Sequence, residues 1–344
     1  MERTVAVRPD KDEGLYTNQL VDEILGKFLD QHELALLLKY SQIDSFKPGE
    51  TFLCQGQNIE GIYLILEGIV LVNAIIMGQG NTRLETLFPG QFLSTISFIE
   101  HSPCHTSFLA TDTVLCLFIP NTYFQRLAND YPETKYKLMR VIMGQICARL
   151  KTIHDIVASF ISESEMTSLS FFERVLYSLN QPKKLSVAES GFDLELLQKS
   201  PLFKSFTKDD YDALLTYFEL LDAPKNCKLI NENEKNASCY LVMYGGIQTC
   251  IIQDGKHAKL SVIGPGTLLA SIGCIDTASA FNITYITCEH TVLFKLSVTS
   301  LQLIKENRPD LWYKLFELIC GSLTALKKSI DKLNIRLHTE TYNR

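Results

Sequence analysis

From Asn18 to Leu38 the apolar residues recur three and four positions apart. Leu20, Ile24 and Phe28, then Leu34, Leu37 and Leu38, form stripes that predict helix. At Ile43 the rhythm changes. As far as Pro120 the chain runs in short apolar stretches broken by Pro48-Gly49, Glu67-Gly68, Gly78-Gln79-Gly80 and Pro89-Gly90. Turn signals at that density predict an antiparallel barrel or sandwich. Helical spacing returns near Tyr123 and continues past Pro132 to about Phe160. A mixed stretch follows, with a helix predicted over Phe171–Leu179 and a linker over Asn180–Lys184. The same plan then starts again at Leu196, with a type I′ hairpin turn at Asp254-Gly255 and a closing helix from about Pro309 to Leu337.

The repetition reaches single residues. Phe46–Gly56, Gly61–Gly68 and Phe88–Thr95 are answered by Pro224–Asn233, Cys239–Gly246 and Gly264–Ser271. Tyr63 and Tyr240 stand 177 residues apart, Gly90 and Gly266 176, Ala110 and Cys288 178. Solenoid units recur every ~20–50 residues, so a period this long is a duplicated domain. The expected fold class is α+β, mainly β: two antiparallel β-barrel (jelly-roll) domains, each flanked by N-terminal helices and a long closing helix. The boundaries expected are 18–161 for the first domain, 162–195 for a helical linker and 196–337 for the second.

Ile62 to Met77 is apolar almost throughout, but Glu67-Gly68 interrupts it and Asn73 follows, which predicts two buried strands and no membrane span. The closing helices carry a second regularity. Met139, Met143, Ile146, Leu150, Ile153, Val157 and Phe160 alternate steps of four and three, as do Ile319, Leu323, Leu326, Ile330, Leu333 and Leu337. These are seams of coiled-coil type. The interface is therefore expected at Met143, Ile146, Leu150, Ile153 and Val157 with Ile319, Leu323, Leu326, Ile330 and Leu333. It would pair the helices either within one chain or between two.

Phe46-Lys-Pro-Gly-Glu50, Gln55-Gly56, Tyr63-Leu-Ile-Leu-Glu-Gly68, Pro89-Gly90 and Ala110-Thr-Asp-Thr113 together resemble the cyclic-nucleotide-binding domain. That family includes the bacterial catabolite activator protein and the regulatory subunits of cAMP-dependent protein kinase. The resemblance implies a β-barrel whose chemistry lies in one cassette between Gly90 and Ala110. There a short helix offers N–H groups to the cyclic phosphate, a Glu binds the ribose hydroxyl and an Arg pairs with the phosphate. Here Ser94, Thr95 and Cys104 stand where the family has Gly, Glu and Arg, with His105 and Thr106 beside them. In the second copy Ala270, Ser271 and Asn282 take the three places. Both charged anchors are gone from both copies. Hydrogen bonds to charged groups are worth ~1.5–3 kcal/mol each, so their loss removes roughly three to four decades of affinity.

Composition narrows the picture only slightly. A net charge of −6 over 344 residues argues against a nucleic-acid-binding surface, and seven residues after Leu337 leave no room for a DNA-reading motif. The ten cysteines include no CxxC pair, and Met1–Gly14 has no apolar leader, so free thiols in a cytoplasm are expected. His101, Cys104 and His105 read as a surface loop rather than a metal or catalytic thiol site. No hydrolase, kinase or phosphate-loop motif is present. The expectation is a non-catalytic, cytoplasmic, bacterial regulatory or adaptor protein without cofactor, metal or nucleic acid, acting through protein partners. The alternative is a sensor of a cyclic nucleotide, cyclic dinucleotide or other phosphate-bearing ligand at the first cassette.

Overall fold

The structure is a computed structural model describing residues 11–76, 80–163, 177, 180–186, 200–231, 235–276 and 283–342. Several expectations fall outside them: most of the helix predicted at Phe171–Leu179, the opening of the second copy at 196–199, the hairpin tip at Gly78-Gln79, and Asn282. The chain divides into two compact units, Met1–Gln145 and Ile146–Arg344.

In the first unit the helical stretch read over 18–38 is two helices, α1 (Lys11–Leu25) and α2 (Gln31–Tyr40). Asp30 starts α2 with a capping box. Its carboxylate accepts from the Glu33 N–H at 2.8 Å, and the Glu33 carboxylate accepts from the Asp30 N–H at 2.9 Å. Eight strands follow: β1 (Gln42–Phe46), β2 (Thr51–Leu53), β3 (Gly61–Glu67), β4 (Val70–Ile76), β5 (Gly80–Leu87), β6 (Phe92–Leu93), β7 (Ser107–Ala110) and β8 (Val114–Pro120). They form two antiparallel sheets in the orders β1-β8-β3-β6 and β2-β7-β4-β5. Leu53, Val72, Leu87 and Phe108 of one sheet share a buried cluster with Ile65, Leu93 and Cys116 of the other. The core therefore lies between the sheets, as in a jelly roll. Inserted between β6 and β7 is the short α3 (Thr95–Glu100). The unit's remaining helices are α4 (Asn121–Asp130) and the start of α5 (Pro132–Glu163).

The second unit repeats the pattern strand for strand. Its strands are β9 (Lys183–Lys184), β10 (Glu219–Ala223), β11 (Lys228–Ile230), β12 (Cys239–Tyr244), β13 (Ile247–Gln253), β14 (Lys256–Ile263), β15 (Leu268–Ala270), β16 (Thr284–Thr287) and β17 (Thr291–Leu296). The sheets run β15-β12-β17-β10-β9 and β11-β16-β13-β14, so only β9 is an addition. Asp254 and Gly255 both have positive φ, 52° and 75°, and join β13 to β14 in the type I′ turn expected there. The helices are α6 (Lys208–Tyr217), α7 (Val298–Asn307) and α8 (Pro309–Tyr342). Proline opens both α5 and α8, where its missing N–H would have had no helical partner. Among the described residues no helix is long and apolar enough to cross a membrane.

The buried faces of the closing helices are broader than a two-position seam. Ile142–Met143 and Ile146–Cys147 on α5, and Ile319–Cys320 and Leu323–Thr324 on α8, are buried as adjacent pairs. That width is the apolar face of a core-packed helix rather than a strict seam, and α8 lies against α7, β14 and β15. Met143, Ile146, Leu150, Val157, Ile319, Leu323, Leu326, Ile330 and Leu333 are all covered within the single chain, and Ile153 is half-buried.

Candidate functional site

The first cassette is built from the Pro89-Gly90 turn onward. Gly90 sits at φ +85°, a conformation glycine adopts without penalty, and donates its N–H to the Ile65 carbonyl at 2.8 Å. The turn lays β6 against β3, pairing Leu93 with Tyr63 and Phe92 with Leu64. Ser94 then takes a left-handed conformation (φ 57°, ψ 26°), which fits its place at the position where the family pattern has Gly. A non-glycine residue there costs roughly 1–2 kcal/mol of backbone strain. The α3 helix follows, and His101 ends it in a second left-handed turn.

The structure brings Ser94, Thr95, Cys104 and His105 together, but not as a polar pocket. The Cys104 thiol lies 3.4 Å from the Ser94 hydroxyl and is only 2% exposed, inside the core cluster between the sheets. This corrects the reading of a surface loop. His101 and His105 are exposed, yet the thiol between them points inward because the chain on both sides is pinned to the 56–57 turn. Gly56 N–H donates to the Cys104 carbonyl and Cys104 N–H to the Gln57 carbonyl, each at 2.7 Å. Burial pushes the Cys104 thiol up, outweighing its hydrogen bond with Ser94, so it is a core side chain and not a nucleophile. Ser97 is committed as well, accepting from the His105 N–H at 3.2 Å. Thr95 is buried, Thr106 half-buried, and the His105 ring sits beside Ser102 and Glu100, at 3.2 and 3.3 Å.

The second cassette has collapsed further. Its helix is a single turn, Ile272–Cys274, and the Ser271 hydroxyl donates to the Asn236 carbonyl at 2.7 Å. Cys274, at the place of Phe98, hydrogen-bonds Cys239, and that bond together with burial pushes the Cys239 thiol well up. Neither Gly90–Ala110 nor Gly266–Cys288 contains a lysine or arginine. Among the described residues no group of His, Cys, Asp and Glu is arranged to hold a metal ion.

Sequence reasoning passed over the contact that ties each cassette to its closing helix. Gln145 on α5 donates to the Gly90 carbonyl at 2.7 Å and accepts from the Phe92 N–H at 2.8 Å. Ser322, its counterpart 177 residues on, accepts from the Ala270 N–H at 2.9 Å. The available signal was the pair Gly144-Gln145 recurring as Gly321-Ser322 at the repeat offset. Gln145→Ala is expected to destabilise the first unit by about 1–2 kcal/mol, because it leaves two backbone groups without their partner. Equilibrium denaturation measures this, and an unchanged midpoint would show that the clamp is dispensable.

Residues 43–131 match the family model described as the cyclic nucleotide-binding domain. Glutaminase 2 of Bradyrhizobium diazoefficiens is 26% identical over 131 residues, which are 38% of this chain and 20% of that protein. The chain thus spans only about a fifth of the length of the curated relative it matches. Among solved structures, the regulatory domain of Toxoplasma gondii PKA with cAMP aligns over 90% of this chain and 97% of that one, at 10% identity and a TM-score of 0.33. The regulatory subunit of a cAMP-independent protein kinase A from Trypanosoma brucei aligns over 93% and 97%, at 13% identity and a TM-score of 0.32. A cyclic nucleotide-binding domain from Methylobacillus flagellatus aligns over 44% and 86%, at 23% identity and a TM-score of 0.36.

Proposed function

We propose that this chain, whose residues 43–131 match the cyclic nucleotide-binding domain, is a non-catalytic regulatory or adaptor protein that does not take cAMP in the usual way and works through protein partners. The observation that carries this reading is the state of the first cassette. At the position expected to pair with the phosphate there is a thiol buried in the core, and the cassette has no lysine or arginine to replace it. A cyclic nucleotide would have to bury its phosphate charge without an opposite charge, which costs several kcal/mol. The hydroxyls of Ser94 and Ser97, which could still have served a phosphate, are engaged within the protein. That counts against the sensor reading at this cassette.

Most of the seam residues are already covered within one chain, which leaves little of either stripe for a homodimer seam. A partner would then meet the outer surface of the molecule. The direct test is thermal unfolding with millimolar cAMP, cGMP, cyclic dinucleotides and inorganic phosphate. A ligand at 100 times its dissociation constant stabilises by ~2.7 kcal/mol, which moves the melting temperature by several degrees. No shift is expected. A shift that disappears in a Ser94→Ala/Thr95→Ala variant would overturn the proposal and restore the sensor reading.

A further inference from the structure

The second unit contains a cavity of about 420 Å³ between α8 and two edge strands, β14 of one sheet and β15 of the other. Leu202, Ile263, Leu268, Leu269, Leu318 and Leu326 are among its walls. Its size falls within the range of roughly 300–1,000 Å³ typical of small-molecule sites. It lies outside the cassette turn Ser271–Cys274, and its origin can be read from the repeat. In the first unit the place of Leu268 belongs to Phe92, which is fully buried, and the place of Ser322 belongs to Gln145. The longer Gln145 side chain reaches along the strand to Phe92 N–H and Gly90 C=O. Ser322 reaches only Ala270 N–H and leaves that stretch open. Two residues lining this space are thus smaller than those at the repeat-equivalent positions of the first unit. Gly321, one residue earlier, adds to it: a Cβ built there meets nothing within 4 Å.

The chemistry of the walls selects the occupant. Most of the polar groups are already used within the protein. Tyr285 donates its hydroxyl to the Ala270 carbonyl, Ser261 bonds Thr249 at 2.7 Å, and Ser329 donates to the Ala325 carbonyl at 3.1 Å. The charged side chain on the described lining is Glu317, exposed at the rim. The described lining holds no lysine or arginine to meet a phosphate ester, whereas apolar surface would be removed from water on both sides. We propose that this cavity is a binding site for a neutral, largely apolar small molecule, held between α8 and the strand that leads into the second cassette. The site is independent of the first cassette, so it stands or falls separately from the reading of that cassette.

The test is titration of the full chain with N-phenyl-1-naphthylamine, a neutral apolar fluorophore, with stoichiometry taken from the saturation curve. One saturable site is expected. The variant Leu268→Phe/Ser322→Gln installs the first unit's own residues and is expected to weaken binding by about tenfold or more. Gly321→Ala is a milder second variant. It places one methyl in the open space and removes a mid-helix glycine, so it is expected to weaken binding while the unliganded melting temperature rises. The absence of saturable binding, or affinity unchanged in both variants, would overturn the proposal. Competition by cAMP at this site would overturn the assigned ligand chemistry.

Discussion

Gly245→Val is expected to abolish cooperative folding of the second unit. Gly245 makes the turn between β12 and β13 at φ +83°, and a Cβ there would lie 2.2 Å from the His290 carbonyl oxygen and 2.8 Å from Thr291 Cα. Both obstacles are backbone, so no rotamer change relieves them. Thr291 is itself anchored, its hydroxyl donating to the Gly246 carbonyl at 3.2 Å. A β-branched residue adds left-handed strain to that collision, for a combined cost of roughly 4 kcal/mol or more. The control is Gly49→Ala. Gly49 has almost the same φ, +82°, but nothing lies within 4 Å of its Cβ position, so about 1–2 kcal/mol of strain is all that is expected. Circular dichroism in urea follows the unfolding of both units and supplies the two midpoints, while Trp312, buried on α8 and the only tryptophan in the sequence, identifies the transition of the second unit. A Gly245→Val midpoint displaced no further than that of Gly49→Ala would refute the steric argument. The first unit has the same device at Gly68, where a Cβ would lie 2.5 Å from the Thr113 carbonyl oxygen.

These glycines show which parts of the fold could be read from the sequence. Glu67-Gly68, Pro89-Gly90 and Asp254-Gly255 mark turns by local chemistry, and the recurrence of Gly68 and Gly90 as Gly245 and Gly266, 177 and 176 residues on, exposes the duplication. The loss of the cassette charges was equally legible, since each is a single residue at a fixed place in a motif. Features that depend on distant partners were not. The plural N-terminal helices are legible, but the place of the break between α1 and α2 is not, because apolar periodicity on both sides masks the capping box at Asp30. Cys104 has polar neighbours in sequence, and only the pairing of its backbone with the 56–57 turn sends the thiol into the core. The closing helices looked like narrow seams because Cys147, Cys320 and Thr324 do not count as strongly apolar, yet they are buried beside the seam residues. The cavity in the second unit arises from volumes summed over one helix and three strands, which no local pattern records.

The second large effect is expected at a twice-built latch joining each N-terminal helix to its closing helix. Glu33 completes the capping box of α2 and accepts from Lys137 on α5 at 2.9 Å and from the Thr134 hydroxyl at 2.8 Å. Asp210, its repeat counterpart, completes the box of α6 with Thr207 and pairs with Lys314 on α8, with Arg308 3.6 Å away. Both carboxylates are nearly covered, at 9% and 3% side-chain exposure, while the lysines are one-third exposed. Burial opposes ionisation in each, but the lysine, capping and hydroxyl hydrogen bonds outweigh it and hold both acids below the usual carboxylate range. Lys314→Met leaves Asp210 charged and largely buried. The expected cost is about 2–4 kcal/mol, or roughly 5–10 °C in melting temperature, reduced from a fully buried pair because Lys314 is partly solvated. Lys137→Met should have a comparable cost, since Glu33 keeps the Thr134 hydroxyl much as Asp210 keeps the Thr207 hydroxyl and Arg308. Replacing both partners, Asp210→Leu/Lys314→Met, should recover part of the loss, because the uncompensated charge is gone even though the capping box is lost with it. The pH dependence fixes the sign. A carboxylate whose folded pKa is depressed contributes its full stability above the unfolded value of roughly 4 and loses it as pH falls through the lower folded value. The gap in melting temperature between the wild type and Asp210→Asn should therefore be widest near neutrality and close progressively in acid. A gap that stayed constant from pH 7 to below pH 3 would mean that the latch works through packing and capping alone, with no contribution from the charge pair.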